Sequence, residues 1–253
     1  MKLLSFNNCS VPADLRSVTT YDPNTEVNPE SVGMSLKQRD AIWKATETLY
    51  KTGASPAITL CVRRKGHIIL NRAIGHARGN GPNDSADTAK VLASPDTRVC
   101  LFSASKVVTA MLVHLLDEMG EIDLLDPISH YIPEYGVNGK KDATIYHLLA
   151  HRGGVPSLPK GTDPQLLFNP DAALGLLYQA KPIAPSGHRA AYHALTAGYI
   201  LGEIIRRVTG QDSRQFLAEK ISIPMDMPSF NFGLAPEYRD QVALSYSTGL
   251  KPT

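Results

Sequence analysis

The sequence predicts an α+β fold: an antiparallel sheet flanked by helices, joined to an all-helical region over about residues 120–221. Three observations carry this reading. Residues 103–119 place Val107, Val108, Met111, Leu112, Leu115, Leu116 and Met119 at i, i+3, i+4 spacing and stop at Gly120, the pattern of an amphipathic helix. Ala57 to Val62 and His67 to Ile74 are short β-branched runs on either side of a basic turn, the pattern of a hairpin. Further capped, helix-capable segments follow as far as Ile221, and no internal repeat is found.

Taken in order, residues 1–33 read as an irregular arm, with Pro12, Pro23 and Pro29 among many polar residues. Ser35 and Gln38 form a capping-box pattern that opens a helix carrying Ile42, Trp43, Leu49 and Tyr50, with Gly53 as its stop. Arg63, Arg64 and Lys65 before Gly66 read as the hairpin tip, and the near-continuous apolar runs around it predict a sheet covered on both faces. Residues 75–96, rich in Gly, Asn, Asp and Ser, read as one long loop. Thr144 to His151 is a short helix before Gly153 and Gly154. Asn169, Pro170 and Asp171 supply a cap, a first-turn Pro and an acidic first turn for a helix reaching about Ala180. Residues 194–208 form another, stopped by Gly210, and Asp212 with Gln215 opens the last. A two-stranded hairpin is marginal by itself, so further strands are expected after Thr253. The domain over 34–253 is then incomplete at its C-terminal end, and a truncated or processed product is expected.

At 253 residues, with 43% apolar residues, the chain can bury a sizeable core as one large domain or two small ones. A formal charge of +2 gives no reason to propose a nucleic-acid or membrane partner. Cys9, Cys61 and Cys100 are odd in number and far apart, which predicts free thiols in a reducing compartment, with Cys100 as a small buried hydrophobe. The N-terminal apolar run is too short for a signal peptide and no stretch is long enough to span a membrane, so the expected location is cytoplasmic. The histidines, His67, His76, His114, His130, His147, His151, His188 and His193, have no spacing that suggests a metal site, and no cofactor is predicted. No Gly-x-Ser-x-Gly elbow surrounds any serine, which tells against a Ser-His-Asp hydrolase. His151 reads as a local cap or packing group; His193 as either a pocket-lining or a structural residue.

The chemistry is concentrated in Phe102-Ser103-Ala104-Ser105-Lys106. Residues three apart on a helix share a face, so Ser103 and Lys106 can be a nucleophile and its base. A serine hydroxyl needs an adjacent group to take its proton. A lysine serves if its amine is neutral, and the apolar neighbours Val99, Cys100, Leu101, Phe102, Val107 and Val108 predict the burial that would make it so. The alternative is an N-capping serine followed by a solvated lysine. Tyr192, in Tyr192-His193-Ala194 just before a helix, is a candidate third group: a cation beside a phenol favours its anion, which can then move a proton. It equally fits a packed aromatic with a satisfied hydroxyl.

Together these segments resemble the serine β-lactamase and penicillin-binding-protein-like superfamily, in its class C and family VIII carboxylesterase branch. Ser103 and Lys106 match its Ser-x-x-Lys element, and Tyr192-His193-Ala194 matches its Tyr-x-Asn element. The Leu148-Leu149 and His151 stretch before Gly153-Gly154 also looks like the family's, and the resemblance runs from about residue 32 to the end. It implies a β-lactamase/transpeptidase-like fold and a serine hydrolase working through an acyl-enzyme. Ser103 is then the nucleophile, Lys106 and Tyr192 are the proton carriers, and the Ser103 N–H with one from a later core strand holds the oxyanion. The partner implied is a small-molecule ester or lactam; nothing fixes the oligomeric state. Ala194 replaces the Asn of many members, which tells against β-lactam turnover more than against hydrolysis of short acyl esters. β-Lactamase or D-amino-acid peptidase activity is the alternative within the fold, and a non-catalytic or truncated scaffold the alternative outside it. The family's third triplet, of Lys-Thr-Gly or His-Thr-Gly type, is expected beyond residue 253; Ser247-Thr248-Gly249 comes too early and reads as a turn.

Overall fold

The computed structural model describes residues 6–250. They form two compact units, one from the described residues of Met1–Cys100 and Ala235–Thr253, the other from Leu101–Leu234.

In the first unit the predicted capping box is present: Ser35 accepts from the Gln38 amide while the Gln38 side chain accepts from the Ser35 amide, opening α1 (Leu36–Tyr50). The predicted hairpin is β3 (Ala57–Arg64) against β4 (His67–Arg78), antiparallel, with Lys65 and Gly66 both at positive φ in its tip. A two-residue turn of that hand matches the twist of the strands. Trp43 and Tyr50 of α1, Leu15, Val18, Leu70 and Ile74 form one buried cluster. Each fully buried Leu or Ile contributes on the order of 1.5–3 kcal/mol.

Several expectations change here. Within the predicted arm, β2 (Thr19–Tyr21) pairs antiparallel with β4, giving the order β2-β4-β3. The predicted long loop is strand at both ends. β4 continues through Gly75 to Arg78, and β5 (Val91–Leu92) pairs with it. Gly75 is where the long loop was expected to begin. It sits at φ 102°, where an added Cβ would lie 2.3 Å from the Pro56 oxygen, so glycine is what lets the strand run on against its neighbour. The hairpin is not covered on both faces: β3 alternates between half-buried and exposed residues. Finally, Ser247-Thr248-Gly249 does not form the expected turn. The Thr248 hydroxyl donates to the Ala54 carbonyl (2.6 Å), and Gly249 opens β6 (Gly249–Leu250), antiparallel to β1 (Phe6–Asn7). A partner from the other end of the chain leaves no local trace in the sequence.

Among its described residues the second unit is helical, with one isolated bridge between Pro127 and Thr144. Its helices are α2 (Ser105–Glu118), α3 (Ile128–Tyr131), α4 (Ile145–Leu149), α5 (Pro170–Gln179), α6 (Thr196–Thr209) and α7 (Ser213–Leu217). A π-helical turn at Ala218–Ser222 continues α7 to the predicted end of that segment. Leu112, Val113 and Leu116 of α2 and Ile200, Leu201, Ile204 and Ile205 of α6 meet in the core. That packing fixes α2 beside α6, and with it the first turn of each.

Candidate active site

Ser103 lies in a 3-10 turn, Phe102–Ala104, that runs directly into α2. Phe102 adopts φ 45°, a left-handed conformation that costs a non-glycine residue energy and commonly marks a functional turn. The Ser105 hydroxyl donates back to the Phe102 carbonyl and braces the turn. One turn later the Lys106 ammonium donates to Ser103 Oγ at 3.1 Å. From α6 the chain reaches back through Ala194 to Tyr192, and the start of α6 is anchored by the Thr196 hydroxyl on the Val155 carbonyl (2.7 Å). Tyr192 donates its hydroxyl to Ser103 Oγ at 2.8 Å, and Lys106 Nζ lies 5.0 Å from its ring centroid. The structure therefore brings all three predicted residues together around one oxygen.

The electrostatics differ from the sequence expectation. Lys106 is half-buried, not buried, because its apolar neighbours in sequence point elsewhere. Val108 turns into the core, while Leu101, Phe102 and Val107 are exposed. The perturbed group is Tyr192: hydrogen bonds with Ser103 and with Lys106, and the lysine's charge, hold its phenol below the ordinary tyrosine range. Cys100 likewise proves exposed, and only Cys9 of the three free thiols is buried.

An open cavity of about 480 Å³ lies in front of Ser103, bounded by Lys106, Thr109, Ala194, Leu195, Gly198 and Phe232 among others. Thr109 is legible in retrospect, one turn beyond Lys106 on the same face. Phe232 carried no signal. Phe168 does not line the cavity and stands largely exposed. His193 does not line it either; its ring is buried behind the Tyr192 segment. Among the described residues no group of three or more His, Cys, Asp or Glu side chains could hold a metal ion.

The sequence matches the Beta-lactamase family over residues 42–253. The chain belongs to that family. It is 34% identical over 143 residues to Esterase/beta-lactamase LipL of Mycobacterium tuberculosis, covering 56% of this chain and 33% of that protein. Protein flp of Staphylococcus aureus (strain MW2) is 27% identical over 71% of this chain and 35% of its own length. Among solved structures, a penicillin-binding protein homolog from Caulobacter crescentus superposes with a TM-score of 0.72 at 29% identity, over 81% of this chain and 53% of that one. A family VIII carboxylesterase gives 0.71 at 27% identity, over 81% and 54%. The β-lactamase/transpeptidase-like fold is thus shown, and the chain spans about a third of these curated relatives and about half of these solved chains. Among the described residues no helix is long and apolar enough to cross a membrane.

Proposed function

We propose that this chain carries the acyl-transfer centre of a serine hydrolase that forms an acyl-enzyme on Ser103, acting on short acyl esters in the cytoplasm. The observation that carries the reading is the Ser103 oxygen held at 3.1 Å from an amine and 2.8 Å from a phenol of lowered pKa. In the first half-reaction Ser103 Oγ attacks the ester carbonyl and passes its proton to Tyr192. Lys106 favours the phenolate that accepts it and shares the proton. Tyr192 then gives the proton to the departing alkoxide. In the second half-reaction the same phenolate takes a proton from the attacking water and returns it to Ser103 Oγ as the acyl bond breaks and the acid leaves. The Ser103 amide, at the start of a helix, is a donor for the oxyanion.

An ester substrate is supported by Ala194, whose methyl stands at the cavity in place of an amide, and by Lys106 as the one charged residue lining it among those described. Free thiols support the reducing compartment. A fluorescent alkyl phosphonate should label Ser103, and Ser103→Ala should abolish labelling; labelling that survives the substitution would end the proposal. β-Lactam hydrolysis is the second reading, favoured by the name of LipL. Nitrocefin turnover equal to that of a p-nitrophenyl ester would reverse the order.

A further inference from the structure

Tyr192 is 55% exposed, and its hydroxyl meets only the two flexible side chains of Ser103 and Lys106 among the contacts described. Something else must keep the phenol in place, and the contacts around it converge on His151. That residue follows α4 and stands at φ 57°. Its carbonyl accepts the amide of Ala191 at 2.9 Å. Its Nδ1 accepts the amide of His193 at 3.2 Å. The residues on both sides of Tyr192 are therefore tied to one histidine, through main chain on one side and side chain on the other. The His151 ring also meets the Tyr192 ring edge-on at 4.9 Å between centroids.

The tautomers follow from the partners. His151 Nδ1 faces an N–H, so its proton is on Nε2. The His193 ring stacks on His151 at 5.9 Å, and its Nδ1 faces the Ala191 carbonyl at 2.6 Å, so there Nδ1 carries the proton. Burial holds the His193 ring below the usual histidine range, which suits a neutral ring with an unpartnered Nε2. Upstream, the amide of Gly187 donates to the Arg152 carbonyl and that of Ile183 to the Gly154 carbonyl, so residues 183–193 lie along 151–154.

We propose that His151 is a positioning residue for Tyr192: it clamps the amides flanking the tyrosine and backs the phenol, keeping the Tyr192 hydroxyl on Ser103. The inference rests on the reading that Tyr192 moves the proton, and its test separates the two. Besides His151, the groups facing the Tyr192 phenol are Ser103 and Lys106. His151→Gly keeps the left-handed backbone and removes both ring and acceptor. His151→Asn tolerates the same φ and returns an acceptor near the place of Nδ1.

The full chain and both variants would be compared by the rate of acylation with p-nitrophenyl acetate and by ultraviolet difference titration of Tyr192, with Tyr192→Phe as the subtraction control. His151→Gly is expected to lower kcat by about 10²-fold with KM little changed, since a misplacement of about 1 Å costs that much. The Tyr192 ionisation should then rise towards the free phenol's value of about 10. His151→Asn should recover acylation to within about tenfold of the parent and restore the ionisation. Should glycine prevent folding, His151→Ala takes its place: a Tyr192 ionisation raised towards the free phenol's supports the clamp, and a parent-like one overturns it. An unchanged ionisation in a folded His151→Gly protein overturns it as well. Parent-like acylation by Tyr192→Phe would instead overturn the role of Tyr192 and leave the titration to judge the clamp.

Discussion

Two lysines of the helical unit, Lys140 and Lys106, show what separates a structural amine from a reactive one. Lys140 is fully buried, and its ammonium donates to three carbonyls, Val137 at 3.0 Å, Tyr178 at 2.9 Å and Ala180 at 2.6 Å, over the ring of Tyr135. Its three protons are all placed on oxygens that cannot give one back. Lys106 is half-buried and faces a hydroxyl and a phenol, both of which exchange protons. Burial lowers the Lys140 amine, and its partners make it inert. Reactivity follows from the kind of partner more than from desolvation.

The largest expected difference between them is in chemistry. Lys106→Met should slow acylation by about 10³-fold, within the range for loss of a proton-transfer partner, and move the melting temperature little. Lys140→Met should do the reverse. It leaves three carbonyls without their cation and a fully buried site without its charge-assisted hydrogen bonds, and should cost about 2–5 kcal/mol in chemical denaturation. If both substitutions lowered stability alike, the contrast would fail.

A smaller effect concerns alkaline pH. Tyr135 is buried beside Lys140, and its phenol is pushed up to about 12. The unfolded phenol titrates near 10, so the stability it contributes is intact below about pH 10 and lost as pH rises through 12, by roughly 2–3 kcal/mol. Tyr135→Phe should flatten that loss. Lys140 has the opposite sign, because burial lowers its amine. Its contribution is present above the unfolded value of about 10.4 and lost as pH falls through the lower folded one. Measured stability between pH 8 and 12, with and without each side chain, separates the two.

The smallest change should come at Gly198, in the first turn of α6, where an added Cβ meets nothing within 4 Å. Gly198→Ala should stabilise the helix by about 0.5–1 kcal/mol. Gly198→Leu should narrow the cavity before Ser103, lowering turnover of hexanoate relative to acetate esters. An unchanged ratio would place the acyl group elsewhere.

Much of this was legible in the sequence, for reasons that are local. A capping box is written in Ser35 and Gln38, and the hairpin tip in Lys65 and Gly66. The Ser103–Lys106 pair needs only one helical turn. Tyr192 is distant in sequence: its chemistry and the family resemblance single it out, while no spacing ties it to Ser103. What stayed hidden depends on partners far along the chain. Strands as short as β2 and β5 have no period to show, and Gly75 reads as the start of a loop until Pro56 is seen against it. The half-exposure of Lys106 follows from which way Val107 and Val108 turn, and apolar neighbours in sequence do not reveal that. His151 reads as a cap because its hydrogen bonds reach residues 191 and 193.

The most direct test is the pH dependence of Ser103 acylation in the parent and in Lys106→Met. The parent rate should rise on an ionisation lying below the ordinary phenol range, and in the variant that ionisation should move upward as the rate falls. A profile that keeps its position when Lys106 is replaced would contradict the account.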